Sequence, residues 1–410
     1  MSIVVMKFGG SSVDGIDRIK YVAQKIISKK KNNEIVVVVS ASGNSTDNLI
    51  KKAKKITSFP SLREMDMLLA TGEMVSTSLL TIMLNSMGQK AISMTGPQAG
   101  ILADNNYTCA KIKKIKINRI KNCLLSGNIV IVAGFQALNV NGDITTLGRG
   151  GSDLTAIALS ASLKANLCEI YSDVEGVYTA DPNIVKTAKK IDCLSYDEML
   201  EMAGAGAQIL QPRSIIVAKK FGIVIHARNT FSKNPGTVIT SEQNIRRKNM
   251  ETLLISGITS DKNRVKFTVR NLPKGHNIVL KIFDKLAKVN IDVDMIIQSS
   301  ILNKKNDIIF TVNKQNMEKT QTELNNIFLP KLNFVKIIRN ERIAKISIIG
   351  VGIKENYNVI AKMFNIFYKN KINIEMINTS ETIISCIVDK FNMIKAVKEL
   401  HESFEIFMKR

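Results

Sequence analysis

Three stretches hold the residue types that phosphate and carboxylate chemistry needs: Lys7-Phe8-Gly9-Gly10-Ser11-Ser12, Thr71-Gly72-Glu73 and Thr145-Thr146-Leu147-Gly148-Arg149-Gly150-Gly151-Ser152-Asp153. Glycines at a helix start leave backbone N–H groups bare, and these donors together with the helix dipole attract an anion. Arg149 adds a planar fork suited to gripping a carboxylate or phosphate with two bonds, while Ser152 and Asp153 can cap the following helix or face a ligand. Lys7, placed just before two glycines, can bring its ammonium to phosphates held by the Gly9 and Gly10 backbone. No G-x-x-x-x-G-K-[ST] is present, so this is not a Walker loop. Each stretch also has a plainer reading, as a turn or as a surface glutamate.

The elements around these residues read as α/β. The apolar run Ile3 to Phe8 is followed by the glycines, by a helical face at Ile16, Ile19, Val22, Ala23, Ile26 and Ile27, and by the apolar Ile35 to Val39. Near-continuous Val/Ile strands joined by helices belong to a parallel sheet covered on both faces, whose ligands sit where strands end and helices begin. The hydroxyl-rich run Ser40 to Asp47 falls at that edge. A helix is expected from Leu62 to Met87, interrupted at Thr71-Gly72-Glu73 because glycine costs about 1 kcal/mol against alanine inside a helix. Further strands are expected at Ala91 to Met94, Ile129 to Phe135, Leu167 to Tyr171, Ile223 to His226 and, at an edge, Thr237 to Thr240. Leu154 to Leu163 has helical spacing. Ser172 to Asn183, with Tyr178 between carboxylates, could hold a purine and ribose, or could be an ordinary Asp-Pro turn.

Composition narrows the class. With 410 residues the chain calls for two or three domains, and its 45% apolar content is that of a soluble globular protein. No run reaches the roughly 18 apolar residues of a membrane span. Charge arrives at Lys7, too early for a secretory segment, so a cytoplasmic protein is expected. Five scattered cysteines and three isolated histidines suggest neither disulfides nor a protein metal site. The net charge of +23 is spread over helix-like stretches such as Lys111 to Lys121, without Trp or a basic-aromatic run. A solvated lysine surface that draws in small anions is therefore expected in preference to a nucleic-acid or membrane partner.

After Met250 the pattern changes to βαββαβ (Arg264 to Asn340) and then βαββα (Ala344 to Ser403). Ile291-Asp292-Val293-Asp294-Met295-Ile296 against Ile372-Asn373-Ile374-Glu375-Met376-Ile377 marks an internal repeat. Thr252 to Ile258 is expected to supply the strand the second copy lacks, giving domains of 1–245, 264–340, and 250–263 plus 341–410. Such ferredoxin-like pairs have open sheet edges, so self-association is expected.

The ordered set Lys7-Phe8-Gly9-Gly10-Ser11-Ser12-Val13, Thr71-Gly72-Glu73, Leu147 to Asp153 and Tyr178-Thr179-Ala180-Asp181-Pro182, followed by two βαββαβ units, resembles aspartate kinase over essentially the whole chain. The resemblance implies the amino-acid-kinase fold with two ACT domains, and MgATP-dependent phosphorylation of the β-carboxylate of L-aspartate on the way to lysine, threonine and methionine. It also implies roles. Lys7, Phe8, Gly9, Gly10 and Ser40 would handle the ATP phosphates. Ser172, Asp173, Tyr178, Asp181, Asn183, Gln208 and Ile209 would flank the nucleotide. Thr46, Glu73, Arg149, Gly150, Gly151 and Ser152 would bind aspartate, with Arg149 on its α-carboxylate and Glu73 on its ammonium, while Asp153 would orient Lys7. No metal ligand is assigned; Mg²⁺ accompanies ATP.

This chain departs from the family pattern at four places. Asn183 and Gln208 stand where the family has an arginine and a lysine near the ATP phosphates, with Lys186 or Arg213 as candidate replacements. His276-Asn277 and Tyr357-Asn358 stand where the ACT effector loops have Pro-Gly. That leaves open whether the ACT pair binds lysine or threonine or serves dimerisation alone. Met250 is placed for the internal start by which some family members make a separate regulatory subunit. Two other readings stay open: a different kinase of the same fold, and an amino-acid sensor with a weakened kinase domain.

Overall fold

The computed structural model describes residues 2–165, 167–207, 209–245, 254–273, 276–301, 305–328, 335–351, 353 and 356–405. Gln208, Met250 and Thr252 lie outside them. Two compact units result, one of residues 1–178 with 189–251, the other of 179–188 with 252–409.

The first unit is built on an eight-stranded sheet. Its order is Cys193–Ser195, Thr237–Thr240, Ile225–Asn229, Leu167–Ser172, Ser2–Phe8, Asn33–Val39, Ile129–Ala133, Ala91–Met94. Every pairing is parallel except that between Thr237–Thr240 and Ile225–Asn229. Val4 to Phe8, Ile35 to Val39 and Ile129 to Ala133 are buried without interruption, as strands covered on both faces must be. The expected edge strand Thr237–Thr240 is interior, because Cys193–Ser195 pairs on its far side. A second small sheet joins Ile112–Ile115, Ile101–Ala103, Gln136–Leu138 and Ile144–Thr146. The stretch Lys111 to Lys121, which spacing suggested was helical, thus divides into a strand and the start of the helix Asn118–Leu125.

The expected break at Gly72 does not occur: Leu62–Ser86 is one helix of 25 residues. A Cβ at Gly72 would lie 2.9 Å from the Ala41 side chain, so glycine is there to let the helix approach the loop after Asn33–Val39. The helix Gly151–Leu163 is buried on nearly every side, which suits its almost wholly apolar or small composition.

In the second unit, Val293–Ile301, Lys305–Asn313, Arg264–Pro273 and Lys336–Asn340 form one antiparallel sheet, and Leu254–Asp261, Ile343–Val351, Ile383–Asp389 and Ile374–Thr379 another. The strand Leu254–Asp261 therefore precedes one ferredoxin-like module in the chain and pairs within the next. The repeat extends to backbone detail: Asn290 and Lys371, each preceding the repeated Ile-x-Ile/Val motif, both have φ of 56°. Helices Met317–Phe328 and Met393–Phe404 are each preceded by a single 3-10 turn capped by Asn313 or Asp389. Met295, Ile343, Met376 and Ile387 form a small core where the modules meet. Thr179–Ala188, inside the expected 1–245 domain, packs here instead: Ala180 and Val185 join the core of the second module, the Ile258 N–H donates to the Thr179 carbonyl at 2.7 Å, and Thr179 Oγ1 lies 2.9 Å from His401 Nε2.

Candidate active site

Parallel register brings the sequence-selected residues to one sheet edge. Lys7, Val38 and Ile170 are neighbours on adjacent strands, and the chain turns after Phe8, Val39 and Ser172. The Gly9 N–H donates to the Tyr171 carbonyl at 3.0 Å, the Ser40 N–H to the Phe8 carbonyl at 3.1 Å, and the Gly43 N–H to the Gly10 carbonyl at 3.1 Å. Ser12 and Thr230 hydroxyls lie 2.6 Å apart, and the Thr230 N–H donates to the Ser172 carbonyl at 2.8 Å. These bonds tie the Lys7 loop to both flanking loops.

Lys7 Nζ lies 2.7 Å from Asp153 Oδ1, both residues being buried. Asp153 sits in the first turn of the helix Gly151–Leu163, where a carboxylate also suits the dipole. The turn into that helix depends on Gly150, with φ of +66°. A Cβ there would lie 1.9 Å from Gln211 Cγ, so both the backbone and the space require glycine. Arg149 is exposed on this loop, and Ser152 is buried behind it.

Glu73, 4% exposed, points a carboxylate at the neighbouring loop: Oε1 accepts the Ala41 N–H at 3.2 Å, and Oε2 is buried without a hydrogen-bond partner among the described residues. Burial pushes its pKa up from 4.5 to about 7, against the pull of the backbone donors. Thr46 lies in the first turn of Ser45–Ile56, which packs against the Glu73 helix.

The nucleotide-side residues divide between the units. Ser172 ends the strand Leu167–Ser172, exposed Asp173 follows it, and Tyr178 bridges to Lys190. Burial, then Glu175, raises the Tyr178 pKa. Ile209 is half-buried in the first unit. Asp181 and Asn183 belong to the second unit, where Asp181 Oδ1 accepts the Asn183 N–H at 2.8 Å. Gln208 lies outside the described residues. Arg213, a candidate replacement cation, is committed elsewhere: its guanidinium donates to the carbonyls of Leu147 (2.6 Å) and Ala110.

Sequence reasoning missed the braces of the Arg149 loop. Asp66, fully buried on the Leu62–Ser86 helix, accepts from the Thr108 N–H (2.8 Å), the Thr146 N–H (2.9 Å) and the Thr146 hydroxyl (2.6 Å). Arg213 holds the next carbonyl, at Leu147. The available signal was an aspartate among apolar positions of a long helix, where a buried charge must have partners.

Residues 2–229 match the Amino acid kinase family, and residues 346–404 match an ACT domain. The chain is 44% identical to an aspartokinase of Bacillus sp. (strain MGA3) over 99% of this chain and 98% of that one. It is 42% identical to an aspartokinase of Helicobacter pylori (strain ATCC 700392 / 26695) over 98% and 99%. Its fold superposes on E. coli aspartokinase III, solved with aspartate and ADP, with a TM-score of 0.82 at 24% identity, covering 98% of this chain and all of that one. On these grounds the chain belongs to the aspartokinase family, an amino acid kinase domain followed by ACT domains.

Proposed function

We propose that this chain transfers the γ-phosphoryl group of MgATP to the β-carboxylate of L-aspartate, giving 4-phospho-L-aspartate and ADP and opening lysine, threonine, methionine and diaminopimelate biosynthesis. The observation that supports this most is the buried Lys7–Asp153 pair at a sheet edge flanked by the Glu73-bound loop. A carboxylate with a pKa near 4 is already ionised at neutral pH, so no general base is needed, and catalysis reduces to alignment and charge stabilisation. Lys7, oriented by Asp153, takes the charge on the transferring phosphoryl, and the Phe8–Gly10 and Ser40 backbone holds the neighbouring phosphates. Arg149 takes the α-carboxylate of aspartate, and the unpaired Glu73 Oε2 takes its ammonium. Thr46 and Gly150 to Ser152 complete that side. Ser172, Asp173, Tyr178, Asp181, Asn183, Gln208 and Ile209 are assigned to the nucleotide.

Mg²⁺ bound with ATP would supply further positive charge at the phosphates. Among the described residues no cluster of three His, Cys, Asp or Glu side chains could hold a metal. Mg²⁺ would enter with ATP, and no protein ligand is assigned to it.

The remaining assignments extend the same reading. The domains are 1–245, less the stretch 179–188, then 264–340, and 250–263 with 341–410. The open edge strands Val293–Ile301 and Ile374–Thr379 expose Ile296 and Ile377, and are assigned to pairing with a second copy. At the ACT loops Tyr357 is 79% exposed at its helix start, a position that leaves it able to block an effector. The enzyme is assigned to the cytoplasm. Aspartate-dependent ADP release by the purified chain, repeated with lysine and with threonine, tests the proposal. No ADP above the aspartate-free rate would reject it.

A further inference from the structure

Successive residues of a strand point to opposite faces of a sheet. Lys7 faces the Asp153 helix, and Met6 therefore faces the other way, where it lines a cleft of about 290 Å³ between the helix Ile16–Lys30 and the strands Leu167–Ser172 and Ile225–Asn229. Four cations surround this cleft: Lys25, Lys29, Arg228 and Lys233. Glu169, 1% exposed, is the carboxylate ion-paired with two of them, Lys29 at 2.9 Å and Arg228 at 3.4 Å, and it also accepts the Tyr171 hydroxyl at 3.2 Å. Lys25 and Lys233 form no ion pair among the described residues. Lys25 Nζ instead lies 4.8 Å from the Tyr171 ring centre.

Among the described residues, four cations against one carboxylate leave the cleft short of negative charge. Like charges gathered in a partly desolvated space repel, and a bound anion relieves that repulsion. The cost is felt at Lys25, whose pKa is held below its ordinary value by burial and then by Arg228. The hydroxyls of Ser28 and Ser232 also line the space and add neutral donors. A tetrahedral dianion uses several donors and neutralises more of this charge than a carboxylate does, and a guanidinium with ammonium groups is the donor set that phosphate oxygens prefer. We infer that this cleft is a second anion site, separate from the Lys7 edge, that takes a phosphate dianion, either inorganic phosphate or the head of a small phosphate monoester.

Calorimetric titration of the full chain with inorganic phosphate and with ribose 5-phosphate tests this, independently of any assay of turnover. The expected result is one site that survives Lys7→Ala and weakens at least about tenfold, roughly one ammonium–phosphate contact, in Lys25→Ala/Lys233→Ala. Both substitutions leave the Glu169 pairs in place. Ser232→Asp, which sets a like charge on the cleft wall, should give the same loss if the double variant folds poorly. Tighter binding of ribose 5-phosphate would identify a monoester as the occupant, and equal or weaker binding would identify free phosphate; either supports the site. Phosphate binding that is unchanged by the cleft variants, that disappears in Lys7→Ala, or that is absent at millimolar concentration would overturn it.

Discussion

Lys7 and Asp153 meet at 2.7 Å although 146 positions separate them in the chain, because the strand Ser2–Phe8 and the helix Gly151–Leu163 pack on each other in the core of one unit. A lysine so placed is held in a single direction. Charge stabilisation by a group fixed in advance avoids reorganisation when the phosphoryl moves. Lys7→Ala should lower kcat by about 10²–10³-fold or more. Aspartate should still bind within about threefold of the parent affinity, since its proposed partners are Arg149 and Glu73. The variant leaves Asp153 buried without its cation and should lose about 3 kcal/mol of stability. ADP release and calorimetry on the folded fraction check this, and an unimpaired kcat would remove Lys7 from the mechanism.

Glu73 makes substrate binding depend on pH. In the free protein its pKa is raised to about 7 from 4.5, so between these values the folded chain binds a proton that the unfolded chain has lost. Stability therefore falls as pH rises from 4.5 to about 7, by up to ~3 kcal/mol from this group, and is level above. The ionised form is the one that takes an ammonium. Aspartate affinity should accordingly rise through pH 7, and Glu73→Gln should abolish that rise while stabilising the free protein at pH 8. Calorimetry and thermal unfolding from pH 5.5 to 8.5 measure both, and an affinity profile left unchanged by Glu73→Gln would count against the assignment.

Asp66 reaches no proposed ligand, yet it should matter to aspartate binding. Three donors from Thr108 and Thr146 converge on it just before the Arg149 loop. Asp66→Ala would orphan them in a buried site and should cost about 2–4 kcal/mol of stability. The KM for aspartate should rise more than the KM for ATP. Equal effects on both substrates would mean that the brace acts on the fold as a whole.

Asn183 offers a gain of function. If it occupies the place of a phosphate-binding arginine, Asn183→Arg should lower the KM for ATP by about three- to tenfold, as one charge-assisted contact would, with kcat little changed. Asn183 is exposed, so the substitution should leave the unfolding temperature within about 2 °C of the parent. An unaltered KM for ATP would detach this position from the nucleotide.

The one-dimensional order of residues was enough for the central strands of the kinase sheet and for the tandem modules, but not for the sheet's rim, where Cys193–Ser195 takes the edge expected for Thr237–Thr240. Strands such as Val4–Phe8 and Ile35–Val39 are apolar on both faces, and the helices between them carry a 3.6-residue stripe, so periodicity alone identifies parallel α/β. The glycine-rich turns were legible because few residues other than glycine adopt the backbone of Gly150. Packing between distant segments decided the rest. Gly72 reads as a helix breaker until Ala41 is seen against it. Lys111 to Lys121 looks helical until Ile112–Ile115 finds a strand partner. Asp66 and Arg213 act through residues 80 and 66 positions away, and the cleft at Lys25 and Arg228 joins a helix to a strand some 200 residues later. Local spacing carries no record of such meetings, because a buried charge or a close backbone approach is defined by its partner, and the partner is chosen only when the sheet closes.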